Sequence, residues 1–192
     1  MIEKISAPVK SYCALFMCAC LALSGCATTY TQIDTVNDVD LNRFAGDWFV
    51  IASIPTILET NAYNAVETYA PPVEDRIETQ FRFNSGSLDG PLRTYTPTAF
   101  VSDDSPGIWG MQFVWPFKAE YRIVHLDDAY QYTIVGRTKR DYVWIMSRQA
   151  DISEAKYQQL VQRVAELGYD TAKLRRVPHG VTTAESISAA SR

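Results

Sequence analysis

Histidine and cysteine are scarce in this chain of 192 residues, which limits the chemistry that it can perform. The two histidines, His125 and His179, do not stand among cysteines or carboxylates with the spacing of a metal site. All four cysteines lie within the first 26 residues, so a domain that begins later has no thiol nucleophile and no internal disulfide. No Gly-x-Ser-x-Gly elbow is present either. The sequence therefore predicts no enzyme, no metal and no cofactor.

Excess positive charge is also missing, since the formal net charge is −4. Without residues 1–25, the chain keeps 16 basic and 21 acidic side chains, a net charge of −5. No basic stripe indicates binding to nucleic acid. A long hydrophobic run is missing too, because the longest, at 12–23, is shorter than the roughly 20 apolar residues that cross a bilayer.

The run at 12–23 is typical of a signal peptide, because two lysines precede it and small residues follow it. We therefore assign residues 1–25 to a signal peptide and exclude them from the fold.

The sequence Leu-Ser-Gly-Cys at 23–26 resembles the lipobox of bacterial lipoproteins. This resemblance implies that Cys26 is the acylated first residue of the mature protein. Ala27 stands where an inner-membrane retention signal usually has Asp, which implies the outer membrane of a Gram-negative cell and a domain facing the periplasm. The alternative is an ordinary signal peptide that contains a cysteine by chance.

After a polar tether at 26–38 and a short helical turn at 41–44, the apolar pattern acquires a period of two. This period predicts eight strands, at 46–53, 64–70, 76–83, 93–101, 109–115, 119–126, 130–137 and 141–148. The short connections between them, such as Ser-Pro-Gly at 105–107, require antiparallel hairpins.

An amphipathic helix is predicted at 153–167, with Gly168 as its stop. Residues 172–177 are predicted to add a short strand beside the first one, and 178–192 to be disordered. An open meander would leave two unpaired edges, which closure into a barrel removes. The predicted fold is therefore all-β, an eight-stranded antiparallel up-and-down barrel over 39–177 with one helix packed outside.

Two motifs in this pattern resemble the lipocalin family, and most of all the bacterial outer-membrane lipoprotein lipocalins. Gly-Asp-Trp at 46–48 is similar to the G-x-W signature, and Asp-Tyr-Val-Trp-Ile-Met-Ser-Arg at 141–148 is similar to the motif that ends the last strand. The resemblance implies that Gly46, Trp48 and Arg148 close one end of the barrel. A guanidinium packed on an indole contributes about 0.5 to 2 kcal/mol.

Alternation along the strands predicts which side chains face inwards. Tyr142 and Trp144 share the side of Arg148, and Val50 shares the side of Trp48. The family pattern adds four residues of the fifth and sixth strands. The resulting predicted ligand contacts are Val50, Met111, Phe113, Tyr121, Ile123, Tyr142 and Trp144. The pattern of the seventh strand allows two inner faces, either residues 131, 133 and 135 or residues 130, 132 and 134.

An aromatic lining with few charges suits acyl chains or other elongated apolar ligands. The resemblance implies that the barrel binds, stores or transports fatty acids such as palmitate, or lysophospholipids, for membrane maintenance. The alternative is a scaffold or assembly lipoprotein whose barrel is filled and which acts through its surface, including the apolar first loop at 54–63. The resemblance also leaves a homodimer open.

Overall fold

The computed structural model describes residues 30–180, and the compact unit within them begins at Thr31. The predicted signal peptide, the predicted lipid attachment at Cys26 and most of the predicted tail, residues 181–192, lie outside the described residues.

The described chain forms an antiparallel β-barrel whose strands follow one another in sequence order. The strands are β1 (Gly46–Ile54), β2 (Ala62–Tyr69), β3 (Arg76–Ser85), β4 (Leu92–Tyr95), β5 (Thr98–Ser102), β6 (Ser105–Val114), β7 (Phe117–Leu126), β8 (Tyr132–Gly136), β9 (Val143–Ser147) and β10 (Arg175–Arg176). Pairing of β1 with β9 closes the barrel. The predicted eight-stranded barrel is confirmed, because β4 and β5 share one of the eight positions and β10 is a short addition.

The strand predicted at 93–101 is divided because Pro97 interrupts it. Proline has no N–H for the ladder, so β4 and β5 pair separately with β3 on either side of it. The backbone N–H of Thr79 donates to the Pro97 carbonyl over 3.1 Å and holds the break in place. The predicted turn at 105–107 is wrong, because β6 already begins at Ser105.

A C-terminal segment, residues 175–180, lies between β1 and β2 where these two strands separate. β2 pairs with β1 only from Gly46 to Phe49, and beyond that β10 pairs with β1 at Ala52 and Ser53. The other side of the segment is bonded to β2, since the N–H of Asn64 donates to the Pro178 carbonyl over 2.9 Å. The predicted strand at 172–177 is therefore only two residues long, and the predicted tail is ordered up to residue 180.

The predicted tether is not free over 31–38, because this segment packs against the barrel wall. Ile33 is buried, and the N–H of Val36 donates to the Ile123 carbonyl over 2.9 Å. The approach is close at Gly107, where a Cβ would lie 2.5 Å from the Val36 carbonyl oxygen.

Two α-helices lie within residues 30–180, α1 (Leu41–Phe44) and α2 (Glu154–Glu166). Ser153 accepts a hydrogen bond from the N–H of Lys156 and so caps α2, as the predicted helix boundary requires. The buried side of α2 packs outside the barrel in a cluster that includes Ile134. Val135 belongs to the inner cluster instead, so Thr133 and Val135 form the inner face of β8, whereas Gln131 precedes the strand and is exposed. No helix in the described part of the chain is both long and apolar enough to cross a bilayer.

Candidate ligand-binding cavity

The closed end of the barrel is the end at which β1 begins and α1 lies. Trp48 is fully buried there, and its indole N–H donates to the Phe44 carbonyl over 2.8 Å. The guanidinium carbon of Arg148 lies 3.9 Å from the centroid of the Trp48 ring. Gly46 has φ +97°, and a Cβ at this position would lie 3.4 Å from Nη1 of Arg148.

The Arg148 guanidinium also donates to five backbone carbonyls, over 2.8 to 3.3 Å. They belong to Arg43, Phe44, Ala45, Asp47 and Tyr130. The structure thus brings together the three residues for which closure was predicted, and Arg148 ties α1 to the ends of β1 and β9.

Aromatic rings fill the closed half of the barrel. The stacked rings of Trp109 and Tyr121 have centroids 4.9 Å apart, and those of Phe44 and Trp48 lie 5.0 Å apart. Val50 and Ile123, two of the predicted ligand contacts, are buried in this packed cluster. They do not line a cavity, because the bulky rings occupy the space around them.

The open half holds a cavity of about 300 Å³ with a mainly apolar wall. Its lining residues are Thr56, Leu58, Glu59, Glu67, Phe81, Tyr95, Pro97, Met111, Phe113, Ala119, Glu120, Tyr121, Arg137, Tyr142 and Trp144. This volume falls at the lower end of the range for small-molecule pockets, which is about 300 to 1,000 Å³. The barrel is therefore not filled throughout, as the scaffold hypothesis required.

Five of the seven predicted ligand contacts lie on the cavity wall: Met111, Phe113, Tyr121, Tyr142 and Trp144. Met111 and Tyr121 are buried at the base of the cavity, whereas Phe113 is 49% exposed at its mouth. Contact of these side chains with a ligand stays a prediction.

A buried carboxyl group, Glu59, lies in the first loop and was missed by the sequence pattern. It is 6% exposed, and its two oxygens accept from the N–H of Thr56 over 2.9 Å and from the indole of Trp144 over 3.0 Å. Burial raises the pKa of Glu59, and these hydrogen bonds oppose the rise. The capping box that Glu59 forms with Thr56 around the short 3-10 turn Ile57–Glu59 is the one signal that could have found it.

A second carboxyl group, Glu67 on β2, ends a buried chain of hydroxyl groups. The Tyr69 hydroxyl donates to Glu67 over 2.7 Å and lies 2.5 Å from the Tyr121 hydroxyl. Since Tyr69 uses its proton on Glu67, Tyr121 donates to Tyr69 when Glu67 is ionised. Burial raises the pKa of Glu67 to about 7, the hydrogen bond from Tyr69 lowers it, and the nearby Glu59 raises it further. Glu67 was missed because the inner face of its strand was left unassigned.

Arg137 contributes a cation to the cavity wall near the mouth. Its Nη1 lies 3.3 Å from a carboxylate oxygen of Asp141, and its guanidinium carbon lies 5.3 Å from the Tyr142 ring centroid. Its buried Nε has no hydrogen-bond partner among the described residues. The cavity wall therefore carries three carboxyl groups, Glu59, Glu67 and Glu120, and one cation, Arg137.

The histidines lie apart from this cavity. A ring nitrogen of His179 lies 2.9 Å from the Val50 carbonyl, and the ring packs edge-on against Phe49. His125 is half-buried at the end of β7. Within residues 30–180, no group of three or more His, Cys, Asp or Glu side chains could hold a metal ion.

The closed barrel with a filled base and an apolar cavity is the architecture of a small-ligand carrier. The family model of the lipocalin-like domain matches residues 39–179, and the chain belongs to the lipocalin family.

Its relatives include both plant and bacterial proteins. The chain is 28% identical to temperature-induced lipocalin-1 of Arabidopsis thaliana over 169 residues, which cover 84% of this chain and 91% of that protein. It is 27% identical to the outer membrane lipoprotein Blc of Citrobacter freundii over 142 residues, 74% of this chain and 80% of that protein.

Solved structures with the same fold include insecticyanin from the tobacco hornworm Manduca sexta. The TM-score is 0.62 at 18% identity, over 80% of this chain and 87% of insecticyanin. Lobster apocrustacyanin A1 gives a TM-score of 0.60 at 14% identity, over 76% of this chain and 83% of its own. At these identities the likeness concerns the fold alone.

Proposed function

We propose that this lipocalin is a lipid-anchored carrier that takes the acyl chain of a fatty acid or lysophospholipid into its barrel. Cys26 carries the anchor and holds the domain on the periplasmic side of a Gram-negative outer membrane. Binding, storing or moving such lipids there serves membrane maintenance. The outer-membrane Blc relatives support this location.

The observation that carries the proposal is the apolar cavity above the packed rings. Glu59 and Glu67 lie in its wall, so a ligand carboxylate or phosphate placed beside them would add negative charge to a buried acidic site. The acyl chain therefore enters first, and the anionic head group stays near Arg137 at the mouth. A scaffold role without a ligand does not require this cavity.

Ligand binding is tested with mature protein carrying Cys26→Ala, which removes the anchor. We expect saturable uptake of a fluorescent fatty acid, and lipid that copurifies from the native host and is seen by mass spectrometry. Trp144→Glu should weaken uptake by at least about tenfold, because it adds a charge to the apolar wall. Trp144→Phe keeps an aromatic ring and is the matched control. No saturable uptake together with no copurified lipid would overturn the carrier role.

The anchor is tested separately in Gram-negative cells. The unaltered chain is compared with residues 27–192 exported by an ordinary cleavable signal peptide that leaves no cysteine. We expect the unaltered chain in the outer-membrane fraction and the second protein in the soluble periplasmic fraction, because the acyl chains on Cys26 provide the stable attachment. Ligand affinity should be equal in the two proteins. Retention of the second protein on the membrane would contradict the lipoprotein assignment and would leave the carrier role unaffected.

A further inference from the structure

Exposed apolar side chains are concentrated at the open end of the barrel. Of the nine large apolar side chains that are exposed within residues 31–180, eight lie in the loops and strand ends of this end. The three most exposed are Ile57 at 90%, Trp115 at 81% and Phe117 at 76%. Val73, in the turn between β2 and β3, is the ninth and lies at the closed end.

These side chains form a surface that is continuous with the cavity. Leu58 and Phe113 line the cavity and are also 55% and 49% exposed. We define the mouth surface as Ile57, Leu58, Phe113, Val114, Trp115 and Phe117. Both the first loop and the β6–β7 hairpin thus contribute apolar side chains to the cavity wall, so an acyl chain can pass over apolar side chains from this surface into the barrel.

Charges of both signs lie around the mouth surface. The basic side chains in the loops and strand ends next to it are Arg93, Lys118, Arg137, Lys139 and Arg140. The acidic ones are Glu59, Asp89, Glu120 and Asp141. Exposed aromatic and aliphatic side chains bordered by lysine and arginine suit the interfacial layer of a bilayer.

The described part of the N-terminal segment runs towards this same end. The segment leaves the closed end at Asp40, whose N–H donates to the Tyr130 hydroxyl over 2.8 Å. It passes Ile123 in the middle of β7, and Arg140, in the loop between β8 and β9, donates to the Thr31 carbonyl over 2.8 Å. Only five peptide units separate Thr31 from Cys26, a reach of at most about 18 Å.

From these observations we infer that the mouth surface rests on the bilayer that holds the acyl anchor, with Trp115 and Phe117 in its interfacial layer. This inference rests on the lipid anchor and carrier role proposed above. The occupant of the mouth surface is a lipid bilayer, from which a single-chain lipid enters the cavity directly.

The position of Trp115 is tested with lipidated protein in vesicles of phosphatidylethanolamine and phosphatidylglycerol that contain brominated acyl chains. We expect the bromines to quench tryptophan emission in the unaltered chain and to quench much less in Trp115→Phe. This variant keeps an apolar ring, and the other three tryptophans are the same in both proteins: Trp48 and Trp109 are buried, and Trp144 lies in the cavity wall. Equal fractional quenching in both proteins would overturn the inference.

Direct entry from the bilayer is tested by the rate at which a fluorescent lysophospholipid moves from the same vesicles into the protein. Phe117→Glu should slow this transfer by roughly tenfold, since it places a charge where an apolar ring meets the membrane. Val73→Glu puts the same charge on an equally exposed apolar site at the closed end and should leave the rate unchanged.

A rate unchanged by Phe117→Glu, or slowed equally by Val73→Glu, would overturn the inference. Affinity for the lysophospholipid dissolved in buffer separates this failure from that of the proposed function. If the unaltered chain binds no dissolved ligand, the carrier role fails, and the quenching of Trp115 still decides whether the mouth surface lies in the membrane.

Discussion

At the scale of single residues, Arg148 performs two tasks that require a guanidinium. Its guanidinium carbon lies 3.9 Å from the Trp48 ring centroid, and its nitrogens donate to backbone carbonyls at the start of β1 and in α1. A lysine ammonium has the same charge but neither the planar surface nor the fork of donors.

Arg148→Lys should therefore lower the free energy of unfolding by about 2 to 3 kcal/mol, through loss of the stack and of several hydrogen bonds. Urea unfolding of the two proteins measures the difference. Arg163→Lys on the exposed side of α2 is the matched control and should change stability by less than about 0.5 kcal/mol. If both substitutions had equally small effects, Arg148 would not hold the closed end together.

Glu67 makes stability depend on pH. Its pKa of about 7 in the folded chain lies above the ordinary value of 4.5, so the folded chain binds more protons than the unfolded chain between these values. The contribution of Glu67 to the free energy of unfolding is therefore greatest below pH 4.5. It falls by roughly 3 kcal/mol as the pH rises to 7 and above.

Glu67→Gln should remove this fall and make the protein more stable than the unaltered chain at pH 8. Urea unfolding at pH 5 and pH 8 tests the sign. Glu78→Gln, at an exposed position on β3, should leave the pH dependence as it is. If the free energy of unfolding fell equally with pH in the unaltered chain and in Glu67→Gln, burial would not raise the pKa of Glu67.

At the scale of elements, α2 covers the outer face of the barrel with one apolar side. Leu160→Ala should cost about 2 to 5 kcal/mol, because Leu160 is 4% exposed and its removal leaves a cavity between helix and sheet. Gln159→Ala, one residue away on the exposed side, is the matched control. Thermal unfolding monitored by circular dichroism measures both, and an equal loss in the two variants would contradict this packing.

Helices and strands with a regular repeat of apolar residues could be predicted from the sequence, but the residues at which they begin and end could be predicted less well. The helix followed from its apolar stripe and its end from Gly168, and β3 and β7 followed from their alternation. The break at Pro97 depends on whether a strand continues past a missing N–H, which local pattern does not decide. The pairing of residues 175–180 depends on a gap between β1 and β2 that forms only when the barrel closes.

At the scale of the whole molecule, barrel closure was predictable because eight antiparallel strands have two edges to hide. The depth of the cavity was not. It is set by how the rings of Trp109, Tyr121 and Tyr69 pack across the barrel, and this packing buries Val50 and Ile123 below the cavity. Glu59 and Glu67 were missed because one lies in a loop and the other lies on a strand whose inner face was not assigned.

Ligand binding should stabilise the whole barrel, since a ligand bound only by the folded chain adds to the free energy of unfolding. At a free lysophospholipid concentration of 100 times the Kd, the expected gain is about 2.7 kcal/mol. Denaturant unfolding with and without the lipid measures it. Trp144→Glu should show little gain at the same concentration, whereas an equal gain in both would place the lipid outside the cavity.

The C-terminal segment has a consequence for how a bound molecule is retained. Near the mouth, β1 and β2 are not hydrogen-bonded to each other, and residues 175–180 lie between them and bond to both. A chain truncated before Arg175 would have a lateral opening between β1 and β2, through which an elongated lipid could dissociate sideways. The residence time of a bound lipid therefore depends on residues 175–180 as well as on the mouth.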